Sequence, residues 1–311
     1  SPSGVQGFVL NFVSQELVKN QRTKVTQSLV DPWSNIVERM LINYLDTKKN
    51  IIIEESSGVK KFVAPNIRPL DIIVLGMKQA VSVYKGEPTY LFYENLKGFN
   101  FRTLASLYNE PSLIEYTTSV AGSNFNKHGM IDILGELGTI INYKIISNND
   151  SLINFRTGMY ASKLITHDIL NKSYRTETYN YFDNFGNESH IVGGVTEGNM
   201  EFPLASELSV QKDGSRVSDF PARTFVMPTS LTGSVDSQHV TPNNTSPYMA
   251  YDPHKWIQRR TSQMIQLDNA LNINILVHGN TLVSAGDKVT VNLPYKAAAK
   301  AANDDRFDKF Y

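Results

Sequence analysis

The chain has 311 residues, enough for a sizeable core and, at roughly 100 to 200 residues per domain, for more than one domain. Lysine plus arginine and aspartate plus glutamate both number 30, so the net charge is zero and no global attraction to nucleic acid or anionic lipid follows; any charge function must be local. Cysteine is absent, which excludes disulfides, thiolate catalysis and cysteine-ligated metal sites, and no apolar run approaches the ~18 residues of a membrane-spanning helix.

The opening SPSGVQGFVLNFVSQE lacks a basic segment followed by an apolar one and does not read as a signal peptide. It and the closing DDRFDKFY are both expected to be cuts in a longer gene product. Gly7 to Ser14 alternates as a strand would. Asp31 followed by Pro32 is an N-cap and first-turn signal, after which Ile36, Val37, Met40, Leu41, Tyr44 and Leu45 recur at helical spacing. Asn50 to Glu54 predicts a short apolar strand. Pro69 to Val81 predicts a second helix, carrying an unfavourable Gly76 in its interior.

Thr89 to Arg102 predicts a hairpin whose aromatic strands flank a turn at Asn95 to Gly98. Its aromatics, Tyr90, Phe92, Tyr93, Phe99 and Phe101, read as core and not as a stacking platform for nucleic acid, because basic residues are not interleaved among them. IINYKII, Thr157 to Asp168 and Tyr174 to Phe182 continue a β pattern. Met200 to Tyr251, rich in Ser, Thr, Pro, Gly and Asn, predicts a long arm lying over neighbouring subunits. Trp256 to Leu271 predicts helix or turn.

Leu271 to Pro294 then carries the clearest strand signal in the chain. Leu271, Ile273, Ile275 and Val277 alternate with Asn272, Asn274 and His278; past a turn region, Val289, Val291 and Leu293 alternate with Lys288, Thr290 and Asn292. The pattern predicts a pair of strands burying one face, with Asn272, Asn274, Thr290 and Asn292 on a face open to solvent, another subunit or a channel.

Sites of chemistry are sparse. His128, His167, His190, His239, His254 and His278 are scattered without ligand spacing and read as ordinary histidines, since metal sites need convergent ligands. Glu54 and Glu55 would point to opposite faces of a strand and read as a solvated turn; Asp304 and Asp305 read as surface. Nucleophile-elbow, phosphate-loop and dinucleotide motifs are missing, and Gly193 with Gly194 is a turn signal only. Trp256, Arg259 and Arg260 form a basic and aromatic cluster that is either a protomer or partner interface or a tryptophan covering a domain seam beside solvated arginines. No residue is assigned to catalysis, to a cofactor or to a metal.

Three segments, YLFYENLKGFNFRTLASLY, INYKIISNNDSLINFRTGMYASKL and RRTSQMIQLDNALNINILVHGNTLVSAGDKVTVNLP, together resemble the baseplate hub proteins of contractile-tailed bacteriophages and, more distantly, the spike trunk proteins of type VI secretion. The resemblance implies an α+β chain with two tail-tube-like antiparallel β-barrel domains and a peripheral α/β domain, assembling as a ring. Residues 1–30 and 255–311 would build the first barrel, 31–125 the peripheral domain, 126–199 the second barrel and 200–254 the polar arm. It further implies a non-enzymatic homotrimer without cofactors in the virion tail, assembled in the host cytoplasm and not inserted in a membrane. Such a trimer adapts a threefold central spike to a sixfold tail tube or tube-initiator protein and contacts baseplate wedge proteins. DNA would pass its channel without specific binding. Family members carry further portions at both ends, and the arm is longer than theirs. Two other classes stay open: a cell-wall hydrolase, which needs two carboxylates roughly 5 to 9.5 Å apart in a cleft, and a receptor-binding or effector-carrying module.

Overall fold

The computed structural model describes residues 9–118, 137–147, 150–169, 172–191, 214–215, 219–229 and 253–293. Residues 9–14 form no strand; Val9, Leu10, Phe12 and Val13 are all exposed, and among the described residues no neighbouring strand supplies partners for their backbone groups. This corrects the strand expected from the alternation at Gly7 to Ser14. Helix α1 (Gln15–Arg22) follows, with Glu16 in its first turn and Lys19 and Arg22 in its last, as the helix dipole favours. Its docked face is polar: Thr47 and Lys49 donate to the Glu16 carboxylate, each at 2.7 Å, and Asn20 accepts from the Leu70 amide at 2.9 Å.

Residues 25 to 108 share one core. Strand β1 (Val25–Asp31) leads into α2 (Trp33–Arg39), which widens into a π turn at Met40–Tyr44. Pro32, not Asp31, holds the N-cap position; Asp31 ends β1 and pairs with Arg39 instead of capping. The predicted helical stripe is buried: Ile36, Val37, Met40, Leu41 and Leu45 have no exposure. Strands β2 (Ile51–Ile53) and β3 (Lys60–Ile67) come next, β3 running antiparallel to β1. Helix α3 (Pro69–Gln79) starts with proline at its first position, and its Gly76 faces Trp33 so closely that a Cβ there would lie 2.8 Å from the indole ring. Removing the methyl is what lets the two helices touch.

The hairpin of β4 (Tyr90–Asn95) and β5 (Gly98–Thr103) forms as predicted, with Asn95 opposite Gly98 and β2 added in parallel to β5. Gly98 sits at φ 128°, against the Asn50 backbone, where a side chain has no room. Tyr90, Phe99 and Phe101 are buried, Tyr90 stacks on Phe101 at 4.6 Å and half-buried Phe92 packs on the same core, so the core reading holds for these four; Tyr93 is half-buried outside that cluster. Glu54 is not in a solvated turn. Its carboxylate accepts from Ser82 Oγ at 2.6 Å, the Thr103 amide at 2.7 Å and Thr103 Oγ1 at 2.8 Å, joining the end of β2 to the end of β5. Thr103 also caps the short helix α4 (Leu104–Tyr108).

The rest of the chain makes small sheets. Strand β6 (Glu115–Thr117) precedes β7 (Ile140–Ser147), and helix α5 (Ser151–Thr157), capped by the Asp150 carboxylate, leads to β8 (Ala161–Asp168), β9 (Ser173–Asn180) and the single turn α6 (Tyr181–Asn184). Strand β10 (Arg223–Pro228) falls within the span expected to be an arm, and runs parallel to β8 on the side away from β9. Its exposed face and flanking prolines hid it; half-buried Phe225 and Met227 are its only inward apolar steps. Most of that span, like His128, His239, Gly193, Gly194, Asp304 and Asp305, lies outside the described residues.

Helix α7 (Ile257–Asp268) precedes β11 (Asn272–Val277) and β12 (Thr290–Asn292). The last two strands do not pair with each other. Strand β11 runs antiparallel to β7, and β12 runs parallel to β6. The reason is the intervening loop, which reaches away to the β4–β5 hairpin tip: Asn95 Nδ2 donates to the Ala285 carbonyl at 2.9 Å and Lys97 pairs with Asp287 at 2.6 Å. A bridge from Thr117 to Thr139 aligns the two small sheets in the order β12, β6, β7, β11 over a shared core of Tyr116, Ile140 and Val291. The chain is α+β, and among the described residues none of its two- and three-stranded sheets closes into a barrel.

Candidate functional site

Two features of the structure concentrate side chains beyond what a local fold needs: the seam around α7, and the open strands at the far end of the small sheets.

Helix α7 carries an unusually polar buried face. Gln258 donates to the Ser162 carbonyl at 2.9 Å and Ser262 to the Met159 carbonyl at 2.8 Å, while Gln266 reaches the Tyr181 hydroxyl at 2.8 Å. These bonds hold the helix to the unit of β8, β9 and α6. On the other side Arg260 donates to the carbonyls of Pro88 at 3.1 Å and Tyr90 at 3.0 Å, and Gln263 bridges Thr89 and the Glu87 carboxylate. Those bonds hold the same helix to the core of residues 25–108. Burial pushes the Arg260 guanidinium down to about 10, still protonated at neutral pH.

Arg259 stands where the two sides meet. It pairs with Glu87 at 2.5 Å and lies 3.5 Å from Glu188, and its guanidinium also donates to the carbonyls of Lys85 and Gly86. Glu188 accepts from the Tyr179 hydroxyl at 2.6 Å. Burial raises both carboxyls above the ordinary value, with Arg259 opposing the shift at each. The sequence cluster at Trp256, Arg259 and Arg260 lies on a seam within this chain, and its arginines are half-buried and bonded to this chain's own acceptors. Trp256 holds the N-cap position of α7 and is half-buried. Glu87 and Glu188 were missed in the sequence because they lie a hundred residues apart and belong to no motif.

His254 pairs with Glu177 at 2.7 Å and meets Thr166 Oγ1 at 2.7 Å, a structural role, and His190 bonds the Phe185 carbonyl at 2.8 Å. No group of three or more metal-ligating residues occurs among the described residues.

The open strands are chemically quieter. Asn272 and Asn274 face solvent on β11, as predicted, while Ile273, Ile275 and Val277 are half-buried. Thr290 departs from expectation: it is buried, with its hydroxyl bonded to Ser112 Oγ at 2.8 Å and its amide to the Ile114 carbonyl at 3.0 Å. Asn292 is half-buried and donates to Glu115. Both are turned inward because β12 lies beside β6 and not beside β11. Among the described residues β11 has a paired strand on one side only, and Ile141, Ile145, Ile146 and Leu276 of the ribbon are exposed. Near the other end, Phe12, Val13, Leu96 and Val283 line an open groove of about 600 Å³ whose carboxylate, Glu94, is paired to Lys49.

No helix among the described residues is long and apolar enough to cross a membrane. No protein-family model matches the chain, and no curated protein matches it.

Proposed function

We propose that this chain is a structural hub subunit of a contractile phage tail, a homotrimeric adapter between a central spike and a sixfold tail tube, with a channel through which DNA passes. The observation that carries this reading is apolar surface left exposed among the described residues of one copy. The ribbon exposes Ile141, Ile146 and Leu276, the N-terminal stretch exposes Val9, Leu10, Phe12 and Val13, and α1 turns Leu17 and Val18 outward while docking through polar groups. Surface of this kind, next to a strand whose second edge is open among the described residues, is what a protein leaves for sister copies to bury.

On this reading β11 and β7 belong to a tube-like module completed by neighbouring copies, and the core of residues 25–108 is the peripheral α/β domain. Asn272 and Asn274 line a neutral polar face past which DNA moves without sticking, because strong phosphate contacts would hold it back. The segments quoted above for their resemblance to hub proteins support the same assignment.

Native mass spectrometry with negative-stain imaging tests it. A trimer with a threefold outline and an open bore is the expected result. A monodisperse monomer with no ring at any concentration would overturn the assignment, and activity on cell-wall polymers would move it to the hydrolase class.

A further inference from the structure

Around Arg259 the α7 seam sets two buried carboxyls against one guanidinium; Arg260, the other cation of α7, donates to the Pro88 and Tyr90 carbonyls instead. Glu87, on the loop ahead of β4, is 1 % exposed, and Glu188, on the segment after α6, is 4 % exposed. They come from the two sides that α7 joins, and both reach the guanidinium of Arg259. The neutral groups on them are Gln263, donating to Glu87 at 3.1 Å, and the Tyr179 hydroxyl on Glu188. The other charges that act on Glu87 are exposed Lys85, which lowers it, and Glu54, which raises it; Tyr181 is the remaining titratable group that senses Glu188. One close guanidinium, always charged, thus faces two buried carboxyls. If both ionise, a buried charge is left uncompensated, and such a charge is strongly destabilising.

We propose that Glu87, Arg259 and Glu188 form a proton-dependent latch between the two sides of the seam: with one carboxyl protonated the triad is neutral and closed, and loss of that proton loosens α7. Both carboxyls are raised in the folded state above their ordinary 4.5, chiefly by burial. The stability they contribute is therefore full below about 4.5 and is lost as pH rises through the folded values. The latch lies within one chain and does not rest on the hub assignment.

Carbon-13 titration of the carboxyls in the wild-type chain, with amide hydrogen exchange of Arg259 to Asp268 followed over the same pH range, tests this. Glu87 and Glu188 should titrate above ordinary glutamates, and protection of α7 should fall by about tenfold for each pH unit by which they do so, beyond the base catalysis of exchange itself. Glu188→Gln and Glu87→Gln, which keep the shape and remove the charge, should each flatten that excess. Titration of both wild-type carboxyls at the ordinary value would overturn the latch, whether or not the variants fold, and so would an excess that persists unchanged in both variants.

Discussion

At the scale of single residues, the chain spends polar groups where apolar ones would have packed. Gly76→Ala illustrates the opposite economy: helix propensity favours the change by about 1 kcal/mol, but the added methyl meets the Trp33 ring at 2.8 Å and must displace it. Overpacking should win, with a net loss of about 1 to 2 kcal/mol in chemical denaturation. Gln263→Leu should cost about 1 to 3 kcal/mol, because it strips partners from Thr89 and Glu87, both buried. Glu54 shows how a residue is misread from its neighbours. Beside Glu55 it looks like half of a solvated pair, yet it serves as acceptor for Ser82 and Thr103, and nothing at positions 54 and 55 announces donors that lie 28 and 49 residues away.

Elements whose partners are close in sequence were legible, and those whose partners are distant were not. Helices α2 and α3 and the β4–β5 hairpin follow from local periodicity, N-terminal proline and turn composition, and they account for most of the buried core. The alternation of β11 correctly marked Asn272 and Asn274 as exposed, but no periodicity states which strand lies alongside. The natural guess, a pairing of β11 with β12, failed because Asn95 and Lys97 anchor the connecting loop elsewhere. Strand β10 was missed since it has two inward steps only. Helix or turn was expected where α7 lies, but the polar grip of α7 on both sides could not be inferred from residues spread between positions 87 and 188. An outward change on the ribbon separates fold from assembly: Leu276→Lys, at a side chain 57 % exposed, should leave thermal stability within about 0.5 kcal/mol while abolishing the proposed trimer in sedimentation experiments. A variant that still sediments as wild type would remove the ribbon from the proposed interface.

Across the whole molecule, stability is unevenly shared. The core of residues 25–108 contains Trp33, Tyr90, Phe101 and a full set of buried Leu, Ile and Met side chains, each worth about 1.5 to 3 kcal/mol on burial. Among the described residues, the sheets of β6, β7, β11 and β12 rest on three buried apolar residues, Tyr116, Ile140 and Val291, and the unit of β8, β9 and α6 on four, Met159, Tyr160, Tyr181 and Phe185. Amide exchange should accordingly be slowest in α2, α3 and β5 and fastest in β7 and β11, and the β7–β11 amides should slow on assembly if sister copies cover them. Uniform protection in the isolated chain would contradict this ranking. The pairing of β6 with β12 also dictates a timetable. Glu115 to Thr117 leave the ribosome long before Thr290 to Asn292 exist, so the domain built on Trp33 can mature while β6 waits for a companion not yet translated. A nascent chain stalled short of position 290 would hold a finished head and a raw strand, the form most exposed to chaperone capture.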